Sequence, residues 1–316
     1  DNDKATFGAS DDLQIYHDST TGHSYIKESG SGDLILQAGN DLRLEDPSGN
    51  EYLRGNEGAG VEISYNNSTK LATTATGIDV TGTATMDGMS TNTAGTSNFI
   101  AGNNAGNSIE SGGNYNTVVG DEAGTALTTG DNNTFMGYAA GDATTTGNSN
   151  IAIGRLALST NTTGAENTAV GVNALYLATT GTYNIAIGNS AGAAVTTGVQ
   201  NTLIGGLAGD AITTAGGNTA LGYQAMSALT TGGGNTAVGH QSMANGVVTG
   251  LHNTGLGDGS LLVLTSGAYN TGLGKDALAA NTTGANNTAV GKDAMIANTT
   301  GTVNTSVGVD SLTANT

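Results

Sequence analysis

The chain contains no cysteine and no tryptophan, a single proline (Pro47) and only three phenylalanines among its 316 residues. Without cysteine there is no disulfide framework and no thiolate metal site, and cysteine usage assigns no redox compartment. The shortage of bulky apolar residues argues against a large globular core, since such side chains carry most of the area that cores bury. Positive charge is scarce as well: 8 Lys and Arg stand against 26 Asp and Glu, for a formal net charge of −18. That sign repels phosphate backbones and anionic bilayers, so neither nucleic acid nor a membrane is expected as a partner. No apolar run approaches the roughly 18 residues of a membrane span. No basic-then-apolar leader opens the chain, which begins at Asp1 as a processed or partial product would.

Glycine is abundant, at 52 residues, accompanied by Thr, Asn and Ala, and from residue 98 onward these residues are in strict order. The phrase Asn, three mostly apolar or small residues, Gly occurs thirteen times. Its copies start at Asn98, Asn116, Asn133, Asn150, Asn167, Asn184, Asn201, Asn218, Asn235, Asn253, Asn270, Asn287 and Asn304. The spacing is 17 residues except for two steps of 18, Asn98 to Asn116 and Asn235 to Asn253. Disordered low-complexity sequence has no reason to keep such a register. A short fixed period means coils that bury their apolar face only by stacking on their neighbours. The expected fold is therefore all-β and fibrous: a β-solenoid of about 13 coils over residues 98–316, preceded by a junction at 91–97.

Numbering each coil from its Asn, position 4 is aliphatic or Met from the second copy on, position 2 is mostly Thr or Ile, and position 3 is usually small. Alternation along a strand puts positions 2 and 4 on one face and 1, 3 and 5 on the other. Position 4 is the expected core residue, and the small position 3 (Ala186, Ala220) the expected approach surface for another chain. Gly at position 5 fits a corner. Apolar residues at positions 8, 11 and 12 suit one helical turn, and a second short strand fits equally. Stacking sets each Asn over the next, so Asn133, Asn150, Asn167, Asn184, Asn201, Asn218, Asn235, Asn253, Asn270 and Asn287 are expected to form an amide ladder. Each coil buries so little that several chains are needed to offset its ordering cost, and a parallel homotrimer is expected.

Residues 1–90 lack the period, carry 15 acidic and 5 basic side chains, and form a short-stranded β-domain, β-prism-like. Alternation and turn residues suggest strands at 13–17, 24–27, 34–37, 42–45, 52–54, 61–65 and 77–80.

The run Phe7-Gly-Ala-Ser-Asp-Asp-Leu-Gln-Ile-Tyr-His-Asp18, with His23-Ser-Tyr-Ile-Lys27 and Lys70-Leu-Ala-Thr-Thr-Ala-Thr-Gly-Ile-Asp-Val80, resembles tail-fibre and structural proteins of marine bacteriophages. Coils such as Asn167-Thr-Ala-Val-Gly-Val-Asn-Ala-Leu175 resemble Asn-Thr-Ala-Val-Gly arrays of phage fibres and bacterial surface proteins and, more distantly, the heads of trimeric autotransporter adhesins, whose coil is shorter. Together these resemblances span nearly the whole chain. They imply a trimeric virion fibre that contacts itself, other virion proteins and a host-surface glycan or protein. They place it on the virion surface, with a bacterial surface adhesin or extracellular filament as the alternative. Family members often continue into a chaperone domain, whereas this sequence stops mid-coil at Thr316, as a fragment of a longer fibre would.

No catalytic or cofactor-binding arrangement stands out, and no enzyme activity is expected. Asp11–Asp12 and Glu45–Asp46 are adjacent carboxylates that diverge on an extended backbone. His17, His23, His240 and His252 lack metal-ligand spacing. Gly255-Leu-Gly-Asp-Gly259 is a coil corner rather than a phosphate loop. The sequons at Asn132, Asn161, Asn281 and Asn298 arise from the repeat. Thr-Thr at positions 13–14 raises an ice-binding solenoid as a further alternative, although several coils interrupt it. Positions 6, 7, 16 and 17 vary freely, which is expected of solvent-facing residues. Among them, Tyr223, His240, His252 and Tyr269, around the 18-residue coil, are the candidate glycan or host contacts.

Overall fold

The computed structural model describes residues 4–8, 10, 12–29, 31, 33–56, 60–75, 77–81 and 94–314. The chain divides into two units, Asp1–Asp87 and Gly88–Thr316. Every regular element among the described residues is a β-strand. Asp11 and residues 91–93 of the expected junction lie outside the described residues.

The first unit contains two antiparallel meanders. Strands β1 (Lys4–Phe7), β2 (Leu13–Asp18) and β3 (His23–Glu28) form one sheet. Strands β4 (Leu42–Glu45), β5 (Glu51–Asn56), β6 (Gly60–Tyr65), β7 (Ser68–Thr74) and β8 (Gly77–Val80) form the other. Two of these strands, β1 and β7, are absent from the sequence reading: the first is a four-residue edge, and the second opens on the polar Ser-Thr-Lys. Conversely, the apolar run at 34–37 is not a strand, for no neighbouring segment pairs with it.

From residue 98 the array is a parallel β-solenoid. Thirteen three-residue strands, β9 (Phe99–Ala101) through β21 (Thr305–Val307), stack in sequence order into one sheet. At about 4.8 Å per strand the stack is roughly 60 Å long. Each strand occupies positions 2–4 of its phrase and pairs in register with the next coil, as Thr168, Ala169 and Val170 do with Ile185, Ala186 and Ile187.

The inward face is the reverse of the one expected. Position 3 is buried in the coil's own interior (Ala169, Ala186, Ala220), whereas positions 2 and 4 point outward. Alternation separates the faces but does not choose between them. The choice follows from the Asn at position 1, whose amide has partners only inside. Ala186 and Ala220 are thus core residues and cannot be the approach surface for a second chain. The interior is completed by positions 8, 9 and 12, and its volumes compensate: Phe135 at position 3 sits against Gly141 at position 9, whereas Ala152 is matched by Leu158.

The second half of each coil is neither a helical turn nor a second strand. It is a chain of turns with left-handed residues at positions 7 and 9, such as Asn173 (φ 56) and Leu175 (φ 50), and a third just before the next Asn, such as Tyr183 (φ 59). A non-glycine residue costs about 1–2 kcal/mol in this conformation. Coil-to-coil hydrogen bonds offset that cost: Asn173 N donates to Arg155 O (3.0 Å), Leu175 N to Ala191 O (3.0 Å) and Thr179 N to Thr196 O (2.9 Å).

Two half-buried carboxylates fit their surroundings poorly. Asp142 and Asp210, both at position 10, each bury one oxygen without a hydrogen-bond partner. Burial raises the pKa of both above the ordinary 3.8. A raised folded-state pKa means the ionised carboxylate destabilises the fold at neutral pH, and that cost is relieved as pH falls through the raised value. Asp210→Ala, which installs the residue the preceding coil carries at Ala193, is expected to raise the thermal midpoint at pH 7. The gain over wild type should shrink as pH falls toward about 4; melting curves across that range check it.

Candidate interaction surface

The Asn side chains sit inside the coil. Asn184 Nδ2 donates to Asn167 Oδ1 (3.2 Å) and to Gly198 O (2.8 Å), and Asn184 N donates to the same Oδ1 (3.0 Å). Its own Oδ1 accepts from Asn201 N (3.0 Å) and Asn201 Nδ2 (3.0 Å). This pattern links successive coils and leaves the amide no capacity for an external ligand.

Threonine at position 13 is also engaged: Thr162 Oγ1 donates to Thr179 O (3.1 Å) and Thr179 Oγ1 to Thr196 O (3.2 Å). Half of each Thr-Thr pair is therefore committed to holding coils together. The sequon residues Asn161, Asn281 and Asn298 are fully buried, out of reach of a glycosylating enzyme.

The four candidate contact residues form two stacked pairs. Tyr223 and His240, both at position 6, have ring centroids 5.9 Å apart at 10°. His252 and Tyr269, each just before an Asn, lie 5.4 Å apart at 22°. The pairs border opposite ends of the strand ladder, the first beyond the corner Gly and the second ahead of the Asn. Because the rings stack from coil to coil, their faces meet each other rather than water. Tyr223 also lies beside Gly206 and His252 beside Gly234, each in the preceding coil. His240 Nδ1 lies 3.1 Å from Asp258 Oδ1. Tyr223 and Tyr269 remain 52% and 59% exposed.

The extra residue of the 18-residue coil lies elsewhere. Asn235 Nδ2 reaches Gly250 O, fifteen residues on, where the 17-residue coils bridge fourteen. The addition thus falls between His240 and His252, in the stretch with exposed Asn245 and Val247.

One surface feature was missed by the sequence reading. Met136, Ile153, Ile187, Leu221, Leu256 and Leu273, all at position 4, are exposed in one stripe along the outer sheet face beside the position-2 column. The signal was present as the invariant apolar character of position 4, and taking that position for core hid it.

Among the described residues no three His, Asp or Glu converge on a metal-sized site, and no helix is long and apolar enough to cross a membrane. These features define a repetitive parallel β-solenoid of the kind found in fibrous repeat proteins. Comparison with family models, curated proteins and solved structures gives no match.

Proposed function

We propose that this chain is a segment of a phage tail fibre, a homotrimeric spacer and adhesion element that carries host attachment at the virion surface. The observation that carries this reading is the uncovered aliphatic stripe. A soluble rod gains nothing from exposing an apolar residue in coil after coil, whereas parallel rods that meet along this stripe remove it from water. The trimer contact is thus assigned to positions 2 and 4, and the resemblance of the first segment to phage proteins favours the virion. Host contact falls to the two stacked pairs, where Tyr hydroxyls and imidazoles offer hydrogen bonds to sugar hydroxyls. Three chains multiply such weak contacts.

A bacterial surface adhesin is the second reading, favoured by the same repeat phrase; immunogold labelling of virions against host envelopes separates the two. The central test pairs two variants. Ile153→Asp with Ile187→Asp is expected to reduce a trimeric sedimentation mass to that of one chain while strand signals persist. Serine at Tyr223, His240, His252 and Tyr269 should leave the trimer intact and lower adsorption to host cells several-fold. A wild-type monomer would end the trimeric reading, and unchanged adsorption would reduce this segment to a spacer.

A further inference from the structure

The five-stranded meander of the first unit is amphipathic across its full width. Its register sets Leu44, Leu53, Ile63, Leu71 and Val80 in one cross-strand row, one residue from each strand. The parallel row contains Leu42, Gly55 and Val61, then Thr73 paired with Ile78. The alternate residues Arg43, Arg54, Glu62, Ala72 and Asp79 form a row on the opposite face. Charges there are matched within the sheet: Asp41 Oδ2 lies 2.7 Å from Arg54 and 3.1 Å from Arg43, which also reaches Glu51 at 3.3 Å.

This is the pattern of a sheet with one wet face and one dry face. Yet the dry face is open: Ile78 is 68% exposed, Leu44 54% and Ile63 45%. No residue of either meander belongs to the buried core, which begins at Ala105. A contiguous open apolar face rimmed by polar residues marks an interaction surface.

We infer that the aliphatic face of β4–β8 is an interface between copies of this chain. The rows Leu44–Val80 and Leu42–Ile78 carry no charged or amide side chain, so they fit neither a polysaccharide nor a charged surface. An identical aliphatic face matches their chemistry. Another copy is the occupant present wherever the chain is. The two rows supply ten residues, short of the roughly 20–30 a side of a stable stand-alone interface. It therefore closes between copies already joined elsewhere, where effective concentration is high. In that respect alone it rests on the self-associating fibre proposed above.

The absence of cysteine makes the test clean. In the full chain, Ile63→Cys is expected to give covalent dimers in high yield with a short bifunctional maleimide, and to react slowly with a water-soluble monofunctional one. Asp79→Cys, on the charged face, should react fast and remain uncrosslinked. Ile78→Cys repeats the measurement at the sheet edge, should Ile63→Cys not fold. Ile187→Cys, on the outer stripe of the solenoid, reports separately on the rods. Crosslinking at Ile187→Cys with Ile63→Cys and Ile78→Cys both fast-reacting and uncrosslinked would overturn this interface and leave the fibre standing. Slow reaction at Ile63→Cys without interchain product would also overturn it, by placing the cover within the chain. Crosslinking at Ile63→Cys but not at Ile187→Cys would support the sheet interface and remove the solenoid stripe as the rod contact.

Discussion

Asn184→Ala is expected to open the array locally at a cost of about 3–5 kcal/mol, because it leaves several buried polar groups without partners. The lost amide serves three coils at once: it donates to Asn167 and Gly198 and accepts from Asn201. Asn184→Asp should be worse near neutral pH, since a carboxylate oxygen would face the two acceptors Asn167 Oδ1 and Gly198 O. It should partly recover in acid, where the protonated group donates again. In a stacked array each coil contacts only its neighbours, so the damage should be confined. Hydrogen exchange is expected to accelerate strongly in the coils around residues 167–201 and hardly at all near residues 120 or 290. Uniform exchange along the array would contradict a nearest-neighbour ladder.

Glycines at two coil positions should behave oppositely. Gly188, at position 5, has φ +139, and a Cβ there would meet the Gly205 carbonyl oxygen at 2.5 Å. The clash is with backbone in the next coil, so Gly188→Ala is expected to cost at least ~3 kcal/mol with no side-chain change able to relieve it. Gly141, at position 9, also has positive φ (+60), but a Cβ there meets the ring of Phe135 at 2.7 Å. Most coils with Ala at position 3 hold Leu or Met at position 9 in the same left-handed conformation, as Leu158, Leu175 and Met226 do; the Asn184 coil, with Ala186 and Gly192, does not. Gly141→Leu alone should therefore be severely destabilising, and adding Phe135→Ala should restore most of the loss. Denaturant midpoints of the two single variants and the pair measure that coupling directly.

This contrast marks the limit of what the sequence disclosed. The coil number, the strand position and the reason for Asn at every start were legible because each depends on period and alternation alone. Which face turned inward was not, since alternation is symmetric and apolar character pointed to position 4. The polar residue decided it: twelve buried amides are tolerable only where each finds its partners, and a closed coil interior supplies them. The turn half of the coil was unreadable for another reason. Residues such as Leu158, Tyr183 and Met226 adopt positive φ without any propensity for it, held there by bonds to neighbouring coils. In the first unit, β7 was hidden because half of its residues belong to a polar face, whereas Leu34-Ile-Leu36 has a strand's composition and no pairing partner. The candidate contacts were legible as variable positions, but not their mutual stacking, which only the coil register brings about.

The direction of the ladder bonds has a mechanical consequence. Strand-to-strand and Asn-to-Asn bonds run along the stacking axis, so a pull on the array loads every coil interface in series. Within one interface the bonds share the force, but between interfaces they do not. Adding coils to such an array lengthens its reach without raising the tension it withstands, which is set by its weakest junction. Selection for a longer array can thus act on copy number alone, whereas selection for a stronger one must act on the interior of each coil.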